Sequence, residues 1–216
     1  MYKPFFLLFL FFLVACLPYH AVNQAAPTVT NNSAVSPGDV LQEINGARTN
    51  PRQYAAYLEQ LRPYYKGKHL TKPGQVTLVT KEGAQALEEA IRFLKSTPAL
   101  PPLTLSAAMS RAALDHVQEQ GWNGKTGHQG KGGSTPDKRL ARYGAWQHTM
   151  GENISYGSET AREIVIDLLI DDGVPDRGHR ANIFNADYRV TGIAYGPHSR
   201  YGSICVILFS GGFVEK

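Results

Sequence analysis

Apolar residues return every three or four positions through five stretches of this chain, and that spacing predicts helices. Val40, Leu41, Ile44 and Ala47 form the first stripe, entered through Ser36-Pro37. Asn50-Pro51 then caps and restarts a helix carrying Tyr54, Leu58 and Leu61; proline suits the first helical position, where its missing N–H leaves no bond unmade. A third helix is predicted over 81–95 with Ala84, Leu87, Ile91 and Leu94 on one face, and Pro98, Pro101 and Pro102 stop it. Ser106 caps a fourth, with Met109, Ala112, Ala113 and Val117 inward and His116 at the edge of that face. Thr160-x-x-Glu163 is a capping box that opens a fifth over 161–172, with Val165, Leu168 and Leu169 as its buried stripe.

Near the C-terminus the period shortens. Residues 189–196 and 203–210 read as strands, with 197–202 as the hairpin between them. The second is apolar at both alternating sets of positions, so both of its faces must be covered. Residues 62–74, with Tyr64, Tyr65, Lys66, Lys68 and His69, read as a basic, aromatic connecting loop. Residues 121–151 read as a long glycine-rich polar loop that runs into a strand at Glu152. Helices on either face of a small antiparallel sheet define an α+β fold, a three-layer αβα sandwich.

The N-terminal pattern is different. Lys3 precedes an apolar run over 5–15, which is too short to span a bilayer comfortably and suits a signal-peptide core. It ends in Leu13-Val14-Ala15-Cys16, which resembles a bacterial lipobox, where the cysteine becomes the lipidated N-terminus. Several acyl chains there would anchor the protein to a membrane; the alternative is an ordinary secreted protein cleaved near Ala21. The expected organisation is a signal peptide with lipobox over 1–16, a flexible tether over 17–38 and one folded domain over 39–212. The expected location is the bacterial cell envelope, outside the cytoplasm. With Cys16 acylated, the other cysteine, Cys205, has no disulfide partner, and its apolar neighbours predict a buried, inert thiol.

Composition adds little. Hydrophobic residues are 43% of the 216, as in a folded domain. The net charge of +4 favours anionic surfaces mildly. Lys and Arg are nowhere concentrated with interleaved aromatics, so nucleic acid is not an expected partner.

The candidate chemistry lies in three segments: Thr126-Gly127-His128-Gln129-Gly130, Gly151-Glu152-Asn153-Ile154 and Gly178-His179-Arg180-Ala181-Asn182-Ile183. His128, Glu152 and His179 can share protons or hold a metal if the fold joins them. Helix phase adds Asp172 as a second acid, since it prolongs the Val165–Leu168 stripe, with Asp171 as the alternative. No cofactor is required by this set. Zn²⁺ would take His128 and His179, with Glu152 as a further candidate ligand and carboxylates orienting the rings. Arg177 and Arg180 would oppose a cation if they pointed inward. A metal-free acid–base site is the other chemistry, but Ser155 and Ser158 lack the setting of a hydrolase nucleophile. The four residues can also serve purely as architecture.

Together with Leu103-Thr104-Leu105-Ser106 and Val190-Thr191-Gly192-Ile193, these motifs resemble the CAP superfamily of cysteine-rich secretory, antigen-five and pathogenesis-related proteins, in its bacterial SCP-like branch. The resemblance runs from about residue 40 to 209. It implies an αβα sandwich with a cleft lined by two histidines and two acids, here His128, Glu152, Asp172 and His179. The chain departs from the family in having Leu169-Ile170-Asp171-Asp172 where an aromatic, glutamate-bearing segment is common, and in lacking the paired cysteines of many eukaryotic members. The resemblance implies a ligand- or partner-binding module without catalysis. The alternatives are a hydrolase, metal-assisted or not, acting on peptide or cell-wall material, and a lipid or sterol carrier.

Overall fold

A computed structural model of the chain describes residues 35–216. The expected signal peptide, Cys16 and most of the expected tether lie outside those residues. Seven α-helices and seven strands are found among them, and none of the helices is long and apolar enough to cross a membrane.

The predicted helices form where their stripes require. Helix α1 (Pro37–Thr49) opens on a capping box between Ser36 and Asp39. It is followed by α2 (Pro51–Glu59), where Asn50 occupies the cap position without a side-chain cap bond. The 62–74 loop is more structured than expected. It begins a small antiparallel meander of β1 (Tyr65–Lys66), β2 (His69–Leu70) and β3 (Leu78–Val79). Helix α3 (Ala84–Ser96) starts three residues later than its pattern suggested. The cause is Gly83, whose φ of +71° places it outside helical space, with Gly67's carbonyl 2.3 Å from where a Cβ would sit; only glycine fits.

The main sheet has the order β4-β6-β7-β5. It comprises β4 (Thr104–Leu105), β5 (Gly144–Tyr156), β6 (Val190–His198) and β7 (Gly202–Glu215). Pairing is antiparallel except at β4, which pairs with β6 in parallel; the sheet is therefore not wholly antiparallel. Strand β7 shows the consequence of its doubly apolar pattern. Cys205, Ile207 and Phe209 join one core with α1, α2, α3, α6 (Ala161–Ile170) and α7 (Gly178–Ile183). Ile204, Val206 and Leu208 join the other, with α4 (Ala107–Asn123) and α5 (Pro136–Leu140). This is the three-layer sandwich.

Two glycines of β6 let α4 press close. A Cβ on Gly192 would lie 2.2 Å from the Met109 carbonyl carbon, and one on Gly196 would lie 2.7 Å from Val117 Cγ1. The opposite layer is fastened by Arg48, which is fully buried and donates to the carbonyls of Pro101, Ile183 and Asn185. Burial brings its guanidinium down to about 10, helped by Arg189 nearby. Residues 121–151 are not one loop. They hold the end of α4, the short helix α5 and the first half of β5, which bulges between Gln147 and Met150 with His148 at φ +64°.

Candidate functional site

Strand β5 is the edge of the main sheet, and the three motif segments gather around it. Side chains alternate along a strand. Glu152 shares a face with Ile154, which packs on the α4–α5 layer, and Asn153 points toward α7.

On the first face Glu152 is buried, its side chain only 2% exposed. One oxygen accepts from His128 Nδ1 at 2.9 Å and the other from Arg139 Nη2 at 2.5 Å. Arg139, from α5, is 1% exposed and also donates to the carbonyls of His128 (3.2 Å) and Ser134 (3.0 Å). One guanidinium thus fixes both the acid and the backbone of its histidine. Behind them, His116 Nε2 and Gln120 Nε2 both engage the Gly127 carbonyl, and Tyr156 Oη receives the Gly127 N–H. Fully buried and beside Arg139, His116 has its pKa lowered, chiefly by desolvation. His128 itself stays half exposed, at 52%.

On the second face His179 Nδ1 lies 2.6 Å from Asp171 Oδ1, and Asp171 Oδ2 accepts from the N–H groups of His179 and Arg180. The Asp171 side chain is 2% exposed. Asp171, not the expected Asp172, is therefore the acid of this pair. Helix α6 ends at Ile170, and Asp171 turns left-handed at φ +57°. Helical phase carried past that point gives the wrong direction. Asp172 instead accepts the backbone N–H groups of Lys81 and Glu82 ahead of α3.

The rest of the motifs ties these parts together. Asn153 Nδ2 donates to the His179 carbonyl, and Asn182 Nδ2 to Asn153 Oδ1. Gly151 admits them, since a Cβ there would sit 2.5 Å from Tyr188 Oη and 2.8 Å from Asn182 Oδ1. Arg177 and Arg180 turn away from the histidine. Arg177 grips Glu82 and Glu89; Arg180 binds Glu89 and the carbonyls of Leu169 and Ile170 at the end of α6. The Arg177 contact holds the Glu82 carboxyl down at about 2.

The expected cluster of four is thus two histidine–carboxylate pairs flanking one edge strand, with no hydrogen bond between the pairs. Glu152, expected as a third metal ligand, has both oxygens engaged. Arg139 had no signal in the sequence, because its role depends on contacts across the fold. Among the described residues no three His, Cys, Asp or Glu side chains are grouped to hold a metal. Ser155 and Ser158 bond each other (3.1 Å), and Ser158 donates to Asp167, away from either imidazole.

An αβα sandwich whose edge strand carries Gly-Glu-Asn and whose facing helix carries Gly-His-Arg-x-Asn-Ile defines the CAP class. The chain matches the CAP family, the cysteine-rich secretory protein family, over residues 41–209, and it belongs to that family. Among solved structures it is similar to an outer surface protein of Borrelia burgdorferi at 20% identity and a TM-score of 0.45, over 62% of this chain and 89% of that one. It is also similar to an extracellular protein containing a SCP domain from Bacillus anthracis at 21% identity and a TM-score of 0.43. That match covers 58% of this chain but 39% of the other. Comparison with curated proteins gave no match.

Proposed function

We propose that this chain is an extracytoplasmic binding module, anchored by lipid at Cys16, which captures its ligand through His128 and His179 without covalent chemistry. The observation carrying the reading is the shared state of the two rings. Each Nδ1 is held by a buried carboxylate, and no described residue bonds either Nε2. A carboxylate only accepts, so the Nδ1 proton is fixed and the neutral ring presents a lone pair at Nε2. Both acids are spent on orienting the rings and on neighbouring donors. Among the described residues no hydroxyl hydrogen-bonds the His128 or His179 ring, and Ser155 and Ser158 bond each other instead.

Zinc is a second reading, favoured by the same carboxylate–histidine arrangement. His128 and His179 would supply nitrogen ligands, and Glu152 and Asp171 would orient them. The remaining positions on the ion would fall to water or ligand.

The test is capture without turnover. Purified full-length protein is incubated with cell-wall material and with peptide. Stoichiometric retention, lost in His128→Ala/His179→Ala, is expected, with no new reducing ends or amino termini. Time-dependent product release that needs the histidines would establish a hydrolase instead. Mass spectrometry of the mature N-terminus tests the anchor: acylated Cys16 supports it, and an N-terminus beyond Leu17 removes it.

A further inference from the structure

We infer that the groove between the end of α4 and the loop after His128 is a saccharide-binding subsite with Trp122 as its stacking platform. The inference rests on the binding reading above and supplies its ligand class. The groove has a volume of about 820 Å³, within the range of small-molecule sites. Its lining includes Trp122, which is 90% exposed and the most exposed of the large hydrophobic side chains among the described residues.

Trp122 offers an apolar indole face with a polar N–H at its edge, set on a polar wall. Gln118 and Gln129 line the groove with amides that make no hydrogen bond among the described residues, and Asn123 uses only its Oδ1, on the Lys125 N–H. Amide donors and acceptors around one aromatic face match the hydroxyl and acetamido groups and the C–H face of a pyranose ring. The charges exclude the other common partner of an exposed indole, a cation. Lys125 and Lys131 line the groove and form no ion pair among the described residues. The acid there, Glu119, is turned into the backbone: it accepts the Lys131 N–H and lies where a Cβ on Gly130 would be. A cationic ligand would meet two lysines, whereas an uncharged or anionic sugar would not be repelled.

The wall is built, not incidental. Glu119 pins residues 130–131 against α4, and Gly124, in left-handed backbone, ends the helix just after Trp122. Gln129, on the groove wall, directly follows His128 in the chain. N-acetylated amino-sugar chains suit this wall best, because the acetamido group pairs with a side-chain amide in both directions.

The experiment uses full-length protein carrying Trp146→Phe, which leaves Trp122 as the remaining indole, titrated with the N-acetylglucosamine tetramer. Cellotetraose serves as the comparator without acetamido groups. A saturable change in indole emission is expected, with affinity for the acetylated sugar at least tenfold above that for cellotetraose. Trp122→Ala should lose at least tenfold in affinity by calorimetry, with Trp122→Phe retaining part of it and both variants keeping the parent's thermal midpoint. Trp122→Ala binding as tightly as the parent, or no binding of either sugar, overturns the subsite. Loss in His128→Ala/His179→Ala with Trp122→Ala unaffected removes the subsite and leaves the histidine reading standing. Loss in Trp122→Ala with the histidine variant unaffected does the reverse.

Discussion

Arg139→Met tests the architecture of the first pair most severely. The substitution keeps an unbranched, flexible stem, shorter than arginine's, and removes the guanidinium with its charge. Glu152, with a side chain 2% exposed, then keeps one partner, a half-exposed imidazole. Breaking a buried ion pair by removing one member costs about 3–5 kcal/mol, because the remaining charge is left uncompensated. The carbonyls of Ser134 and His128 also lose their donor, and each such loss adds about 1 kcal/mol where water cannot substitute. Domains of this size are stable by about 5–15 kcal/mol, so the variant should fold but sit close to its limit. At roughly 2–4 °C per kcal/mol, a total loss of about 5–7 kcal/mol gives a fall in melting temperature of about 10–28 °C. Urea and thermal unfolding followed by circular dichroism measure the two quantities. A double-mutant cycle with Glu152→Gln isolates the pair, and the double variant should recover about 2 kcal/mol relative to the sum of the single changes. A loss below about 1 kcal/mol for Arg139→Met, or simple additivity in the cycle, would refute the claim that this buried pair organises the His128 loop.

Three further outcomes follow from the geometry. Asp171→Asn should cost about 1–3 kcal/mol and shift the His179 ring resonances, since a charge-assisted bond is lost, whereas Asp172→Asn should cost about 1 kcal/mol through weakened bonds from the Lys81 and Glu82 N–H groups and leave those resonances in place; the reverse pattern would restore Asp172 to the site. His116 has its pKa lowered by burial, with Arg139 lowering it further and the Gly127 carbonyl, Glu152 and Glu119 opposing. The folded state therefore binds fewer protons than the unfolded one, and stability should fall as pH drops below the ordinary histidine value of 6.5; His116→Gln should flatten that limb of the stability–pH curve, and an unchanged slope would show that His116 does not cause it. Gly192→Ala places a Cβ 2.2 Å from the Met109 backbone and should cost about 3 kcal/mol or more, while Gly38→Ala, whose Cβ meets only Ser36 Oγ at 3.6 Å, should be neutral or slightly stabilising; equal melting temperatures for the two would contradict the close approach of α4.

The helices, the two long C-terminal strands and the layer order were legible because amphipathic period and capping are local. Thr160 accepts the Glu163 N–H as the predicted box requires, although the reciprocal bond to the Glu163 side chain is not formed, and the helix entered at Ser36-Pro37 gains a capping box with Asp39 that was not foreseen. His128, Glu152 and His179 were also legible, each from its short motif. Three things were not. Asp171 was only the alternative to Asp172 because phase reasoning carries the helix on to 172, and here it ends two residues earlier, at Ile170, with Asp171 in a left-handed turn. The first half of β5 was read as loop because Gln147, His148 and Thr149 break the alternation at the bulge. The β1–β3 meander has strands of two residues, too short for any period to register. Arg139 belongs to a fourth class: its partners lie at His128, Ser134 and Glu152, and only the folded chain brings them together.

The central claim is that two buried carboxylates fix two imidazoles so that each offers Nε2 outward. Long-range proton–nitrogen correlation spectra of the histidine rings, recorded on full-length protein above the histidine titration range, read this directly. The account predicts the Nδ1–H tautomer at both His128 and His179, reverting toward the ordinary mixture in Glu152→Gln and Asp171→Asn respectively. Nε2–H tautomers at either ring in the parent protein, or rings indifferent to the loss of their acids, would contradict it.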